Sequence, residues 1–181
     1  MKLFNIVLDS NKSLREKSKS ISEEQLNAYK SLGLEMLDYL KMSQDEDIAN
    51  KYHIQPGIGL AAPQINKNIR LIAIYINDGE NSYEYVLANP VIISKSVKLS
   101  YLRNGEGCLS VKNNHPGFVY RNYKITVEAY SYLDDKIVTF KAKDLLAIAL
   151  QHEIDHLDGI LYYDHIDKKE PFKIIESAIA M

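Results

Sequence analysis

The stretch Asp144-Leu145-Leu146-Ala147-Ile148-Ala149-Leu150-Gln151-His152-Glu153-Ile154-Asp155-His156-Leu157-Asp158-Gly159 is apolar almost without interruption in its first half and then carries two histidines four positions apart. A segment that is apolar all round is buried, so the pattern predicts a core helix over residues 143 to 158. Asp144 reads as its N-cap and Gly159 as its C′ stop. Leu145, Ile148, Ala149, His152 and His156 share one i, i+3, i+4, i+7, i+11 stripe, which carries both imidazoles into the interior along an apolar face.

His152-Glu153-Ile154-Asp155-His156 reads H-E-x-x-H. Residues four apart differ by about 40° around a helix turning about 100° per residue, so both imidazoles can reach one metal ion. Glu153 lies between them, free to handle protons. Two buried imidazoles and a carboxylate are costly in a core without a metal or dense hydrogen bonding. A catalytic zinc-type site takes three protein ligands and keeps one position open for water, so a third donor is needed. The metzincin extension of the motif fails because its last position is Tyr162, and His165 falls three residues too late. Two candidates stay open on the residues alone. Glu176 has a downstream spacing like that of thermolysin-like peptidases. Cys108, the only cysteine, sits in Gly105-Glu106-Gly107-Cys108-Leu109-Ser110, where glycines let the backbone come close to a ligand. A lone cysteine is more often a small buried hydrophobe, so its neighbourhood has to decide.

That neighbourhood is distinctive. Gly57-Ile58-Gly59-Leu60-Ala61-Ala62-Pro63-Gln64, Glu106-Gly107-Cys108-Leu109-Ser110 and Gln151-His152-Glu153-Ile154-Asp155-His156-Leu157 resemble, in order, the three motifs of the peptide deformylases. The resemblance extends from about residue 55 to 165. The stretch after Cys108 and the Tyr162-Tyr163-Asp164-His165-Ile166-Asp167 end are similar to the class found in Gram-positive and related bacteria. It implies a metal-dependent hydrolase that removes the formyl group from the N-terminal formylmethionine of new polypeptides and releases formate. It implies one divalent ion held by Cys108, His152 and His156, with Fe²⁺ expected in the cell and Ni²⁺, Co²⁺ or Zn²⁺ able to occupy the site.

The remaining roles follow from the same resemblance. Glu153, not a ligand, would serve as general base and acid. The Gln64 side-chain amide and the Leu109 backbone N–H would stabilise the oxyanion. Glu106 and Arg121 resemble an ion pair that steadies the cysteine loop. Backbone groups of Ile58 and Gly59 would pair with the substrate as an added strand. Leu145, Ile148 and Ala149, on the stripe of His152, would line a methionine pocket.

Other readings compete. Gly57-x-Gly59-x-x-Ala62 also fits a relaxed dinucleotide fingerprint, but Tyr52-His53-Ile54-Gln55-Pro56 is a poor strand and Pro63-Gln64 interrupts any helix after it. A thermolysin-like peptidase using Glu176, or a metal-stabilised binding module without catalysis, are the alternatives of other classes.

At 181 residues the chain fits one domain, residues 1 to 181, with enough length for a sizeable core. A formal charge of −2 gives no nucleic-acid footprint. Lys12, Arg15, Lys17 and Lys19 read as a solvated face in preference to a surface for transient ribosome contact. Formylated peptides and nascent chains are the expected partners, with no membrane. A single cysteine forms no internal disulfide, and there is no signal-peptide or transmembrane run, so a cytoplasmic protein is expected.

The fold expected is α+β, with antiparallel β-sheets packed around the buried H-E-x-x-H helix. Ser22-x-x-Gln25 resembles a capping box and opens an N-terminal amphipathic helix over about residues 22 to 42, followed by a polar connection over 43 to 53. Runs rich in Val, Ile and Tyr predict strands from Arg70 to Ile76, Tyr83 to Leu87, Val91 to Leu102, Val119 to Tyr132 and Ile137 to Lys141. Phe172 to Met181 is read as a short helix or a last strand.

Overall fold

The computed structural model describes residues 2–77, 79 and 81–181. Helix α1 spans Glu23–Ser43, and the Ser22 backbone N–H donates to Gln25 Oε1 at 3.2 Å, one half of the expected capping box. The expected polar connection after it holds a further helix, α2, over Glu46–Tyr52. Asp45 caps it by accepting from the Ile48 N–H, a device that a short polar segment conceals because no apolar stripe accompanies it.

A five-stranded antiparallel sheet follows, in the order β1 (Gly59–Ala61), β2 (Leu71–Asn77), β3 (Ser82–Lys95), β6 (Lys124–Ser131) and β7 (Lys136–Lys143). A smaller sheet joins β5 (Arg121–Asn122), β4 (Leu99–Tyr101) and β8 (Ile179–Ala180), with β8 parallel to β4. The run expected to end at Leu87 and the first part of the one expected from Val91 to Leu102 form one strand, because Asn89 takes a left-handed φ of 52° and Pro90 has no N–H for the ladder to lose, whereas the end of that second run is β4 in the smaller sheet. The expected Val119 to Tyr132 run is divided instead, at Tyr123, between the two sheets.

Period-2 alternation explains why β2 is buried on both sides. Leu71 and Ala73 face α1 with Met36, Leu40 and Val86, whereas Ile72 and Ile74 face the other way with Leu87, Val127, Leu150 and Ile154. Those last two belong to helix α3, Asp144–Leu157. The large sheet thus lies between α1 and α3. Gly159, at φ 75°, terminates α3 as expected. Asp144 does not act as its cap. Strand β7 runs straight into α3, so Asp144 makes the sharp turn at φ 56° and no side-chain cap bond forms.

Gly33 sets the distance between α1 and the sheet. A Cβ built there would lie 2.5 Å from Val86 Cγ1, so only glycine lets the helix sit this close. Gly33→Ala should therefore lower stability by about 1–3 kcal/mol, although alanine is the better helix former. Urea unfolding checks this, and pairing the change with Val86→Ala should recover part of the loss.

Candidate metal centre and active site

Three of the predicted donors converge. The ligand atoms of Cys108, His152 and His156 lie within 4.8 Å of one another, all buried, and Cys108 Sγ is 3.3 Å from His156 Nε2. This is the only such cluster with metal-binding potential among the described residues. Glu176 is exposed near the C-terminus and stands outside it. The glycine-rich motif is also no dinucleotide turn, since β1 leads into a buried 3₁₀ turn, Ala62–Ile65, rather than an α-helix.

Glu106 orients the first histidine. Its Oε2 is 2.8 Å from His152 Nδ1, and both carboxylate oxygens accept from Arg121, at 2.8 Å from Nε and 3.0 Å from Nη2. Burial by itself would raise the Glu106 pKa, but these bonds hold it down at about 2. An ionised carboxylate can only accept, so Nδ1 carries a proton and Nε2 is the ring nitrogen left to face the cluster. The expected Glu106–Arg121 pair exists and is fully buried, unlike a solvated surface bridge.

The sequence reading missed how far this network runs. Arg121 also donates to Asp155 Oδ2, which accepts from His165 Nε2 at 2.7 Å. A charged residue inside an otherwise apolar helix was the available signal. Gln151 was missed as well: it accepts from the Asn122 N–H and donates to the Asn122 carbonyl, tying α3 to β5 beside Arg121.

Glu153 is buried and lines a cleft of about 300 Å³ above the cluster. Burial pushes its pKa up to about 7. Its Oε2 has no hydrogen-bond partner among the described residues. Gly59 is required here, because a Cβ at that position would fall 2.3 Å from Glu153 Oε1. Gln64 is held from both ends of its amide. Oε1 accepts from the Ala61 N–H at 2.8 Å, which turns Nε2 toward Ser110 Oγ at 3.2 Å and Cys108 Sγ at 3.6 Å.

Leu109 follows the cysteine at the cleft wall, and Leu145, Ile148 and Ala149 supply the apolar side of the cleft. Leu102, Gln44 and Gln55, which carried no motif, also line it. Ile58 contributes its side chain to the cleft, but its carbonyl already accepts from the Tyr75 N–H within the sheet. In the alternating antiparallel ladder it is Gly59 whose backbone groups point to the open edge of β1.

Residues 3–172 match the family model described as polypeptide deformylase. The chain belongs to the polypeptide deformylase family. A peptide deformylase of Staphylococcus epidermidis is 46% identical over 177 residues, covering 97% of this chain and 96% of that one. Peptide deformylase 2 of Bacillus subtilis is 45% identical over 178 residues, covering 98% and 96%. Among solved structures, the peptide deformylase of Thermus thermophilus superposes with a TM-score of 0.70 at 29% identity, covering 93% of this chain and 89% of that one. Peptide deformylases are metal-dependent hydrolases that remove the N-formyl group from nascent peptides, and this deformylase shares that activity. No helix among the described residues is long and apolar enough to cross a membrane.

In this deformylase the buried Arg121 faces two carboxylates, Glu106 and Asp155. Arg121→Met should leave both without their cation and lower stability by about 3–5 kcal/mol. Chemical denaturation of the variant measures the loss. A change below about 1 kcal/mol would show that the network contributes little.

Proposed function

We propose that Cys108 Sγ and the Nε2 atoms of His152 and His156 hold the catalytic cation, and that Glu153 moves the proton in hydrolysis of formylmethionyl peptides. The observation that carries this reading is the convergence of three buried donors beside a buried carboxylate oxygen that has no hydrogen-bond partner among the described residues. A thiolate and two imidazoles suit a divalent ion of borderline softness, with Fe²⁺ proposed for the cell and Ni²⁺, Co²⁺ or Zn²⁺ able to replace it. Bound there, the ion supplies Lewis acidity, acidifying water toward a pKa of about 7 and polarising a carbonyl oxygen.

The rest falls to the chain. Glu153 accepts the proton of the attacking water and passes it to the departing amine. A nearby cation favours the ionised carboxylate, offsetting the burial that raises its pKa. Gln64 Nε2, aimed by the bond between its Oε1 and Ala61, and the Leu109 N–H donate to the oxyanion as it develops. Gly59 pairs with the peptide backbone at the open edge of β1. Leu145, Ile148 and Ala149 receive the methionine side chain. The formyl carbon carries only hydrogen, so a close wall at the reacting centre admits it and rejects larger acyl groups.

The whole chain, residues 1 to 181, acts as one catalytic domain on nascent chains in the cytoplasm. Lys12, Lys17 and Lys19 are exposed and Arg15 pairs with Asp164, which supports a solvated face there over a ribosome contact.

Formate release from a formylmethionyl tripeptide by the Fe²⁺- or Ni²⁺-loaded enzyme tests the activity. Glu153→Gln should keep metal content and thermal midpoint while kcat falls at least about a hundredfold. A metal-loaded variant with near-normal turnover would refute the role of Glu153.

A further inference from the structure

A second groove, of about 540 Å³, lies between the N-terminal segment and the residues that follow α2. Leu3 and Leu8, 47% and 36% exposed, line it together with Tyr52, Ile54 and Lys112. Gln55 and Leu109 line both this groove and the catalytic cleft, so the two adjoin.

The course of a bound peptide follows from β1. Beyond Ala61 the chain enters the buried 3₁₀ turn, so a substrate whose formyl end lies at Cys108 and Glu153 has to leave in the other direction, past Gly57 toward Gln55. Backbone pairing stops early on that route, because the Gly57 N–H donates to Ser43 Oγ and its carbonyl accepts from Gln44 Nε2. Recognition farther out has to come from side chains. With methionine opposite Gly59, four residues of extended chain, about 13 Å, bring the fifth residue to Gln55.

We infer that this groove receives apolar side chains of the formylated chain from about its fifth residue onward, with Lys112 favouring an acidic residue among them. The inference rests on the deformylase site described above and extends its substrate specificity beyond the N-terminal residue. Lys112 forms no ion pair among the described residues, and two exposed leucines line a groove that adjoins the catalytic cleft. Covering two leucine-sized side chains is worth roughly tenfold or more in affinity.

The test compares three substrates on the Ni²⁺-loaded enzyme: a formylmethionyl tripeptide, a nine-residue formylmethionyl peptide with Leu, Glu and Leu at its sixth to eighth positions, and the same peptide with serine at those three. The leucine peptide should show a KM at least about tenfold below the other two, with kcat unchanged. In the Leu3→Ser, Leu8→Ser double variant that advantage should vanish while tripeptide turnover stays at the wild-type level, which also reports an intact fold. Equal KM values with a working tripeptide, or an advantage that survives the double substitution, would overturn the inference alone. An inactive tripeptide would instead sink the underlying assignment of the site. Sedimentation showing a wild-type dimer that the double variant loses would give the groove to a second copy of the chain and overturn the proposal.

Discussion

The carboxylate of Glu106 is the point on which the site depends. It is buried and ionised, and it spends its two oxygens on Arg121 from β5 and on His152 from α3. An unpaired charge at that depth would cost several kcal/mol, so the cysteine loop, the short strand and the helix are held to one arrangement. The same contact protonates His152 on Nδ1 and points its other nitrogen at Cys108 and His156. Structural restraint and chemical preparation come from one group.

Around that point the scaffold has a simple logic. The large sheet is covered on both faces, by α1 closely packed at Gly33 and by α3 on the opposite side. Its edge strand β1 brings Gly59 against the carboxylate of Glu153, and the turn after it brings Gln64 against Cys108. Rigid elements therefore carry the groups to which the reaction is assigned under the proposed function, which is what precise positioning requires. Asp155, Arg121 and His165 extend the restraint to the surface beside the last 3₁₀ turn.

Periodicity made α1 and α3 legible, because an amphipathic stripe and an unbroken apolar run each allow one kind of helix. Strand boundaries were less legible, since Pro90 looked like an interruption and proved compatible with a continuous strand once Asn89 absorbed the bend. Helix α2 was missed because capping and a few polar residues formed it without an apolar face to announce it. The three motifs named the residues that meet at the site. They did not show that Ile58 spends its carbonyl within the sheet, which depends on ladder alternation.

By itself the sequence determined the chemical inventory: a histidine pair at helical spacing with a carboxylate between them, one cysteine in a glycine-rich loop, and a glutamine after a glycine-rich strand. Residue type and spacing are local properties, and they carry that much. Only the tertiary structure showed that Cys108, and not Glu176, lies within a few ångströms of both imidazoles. It also decided that the Glu106–Arg121 pair is buried, that Asp155 and His165 join it, and that a second groove adjoins the cleft. Each of these depends on distances between residues far apart in the chain, and no local pattern encodes such distances.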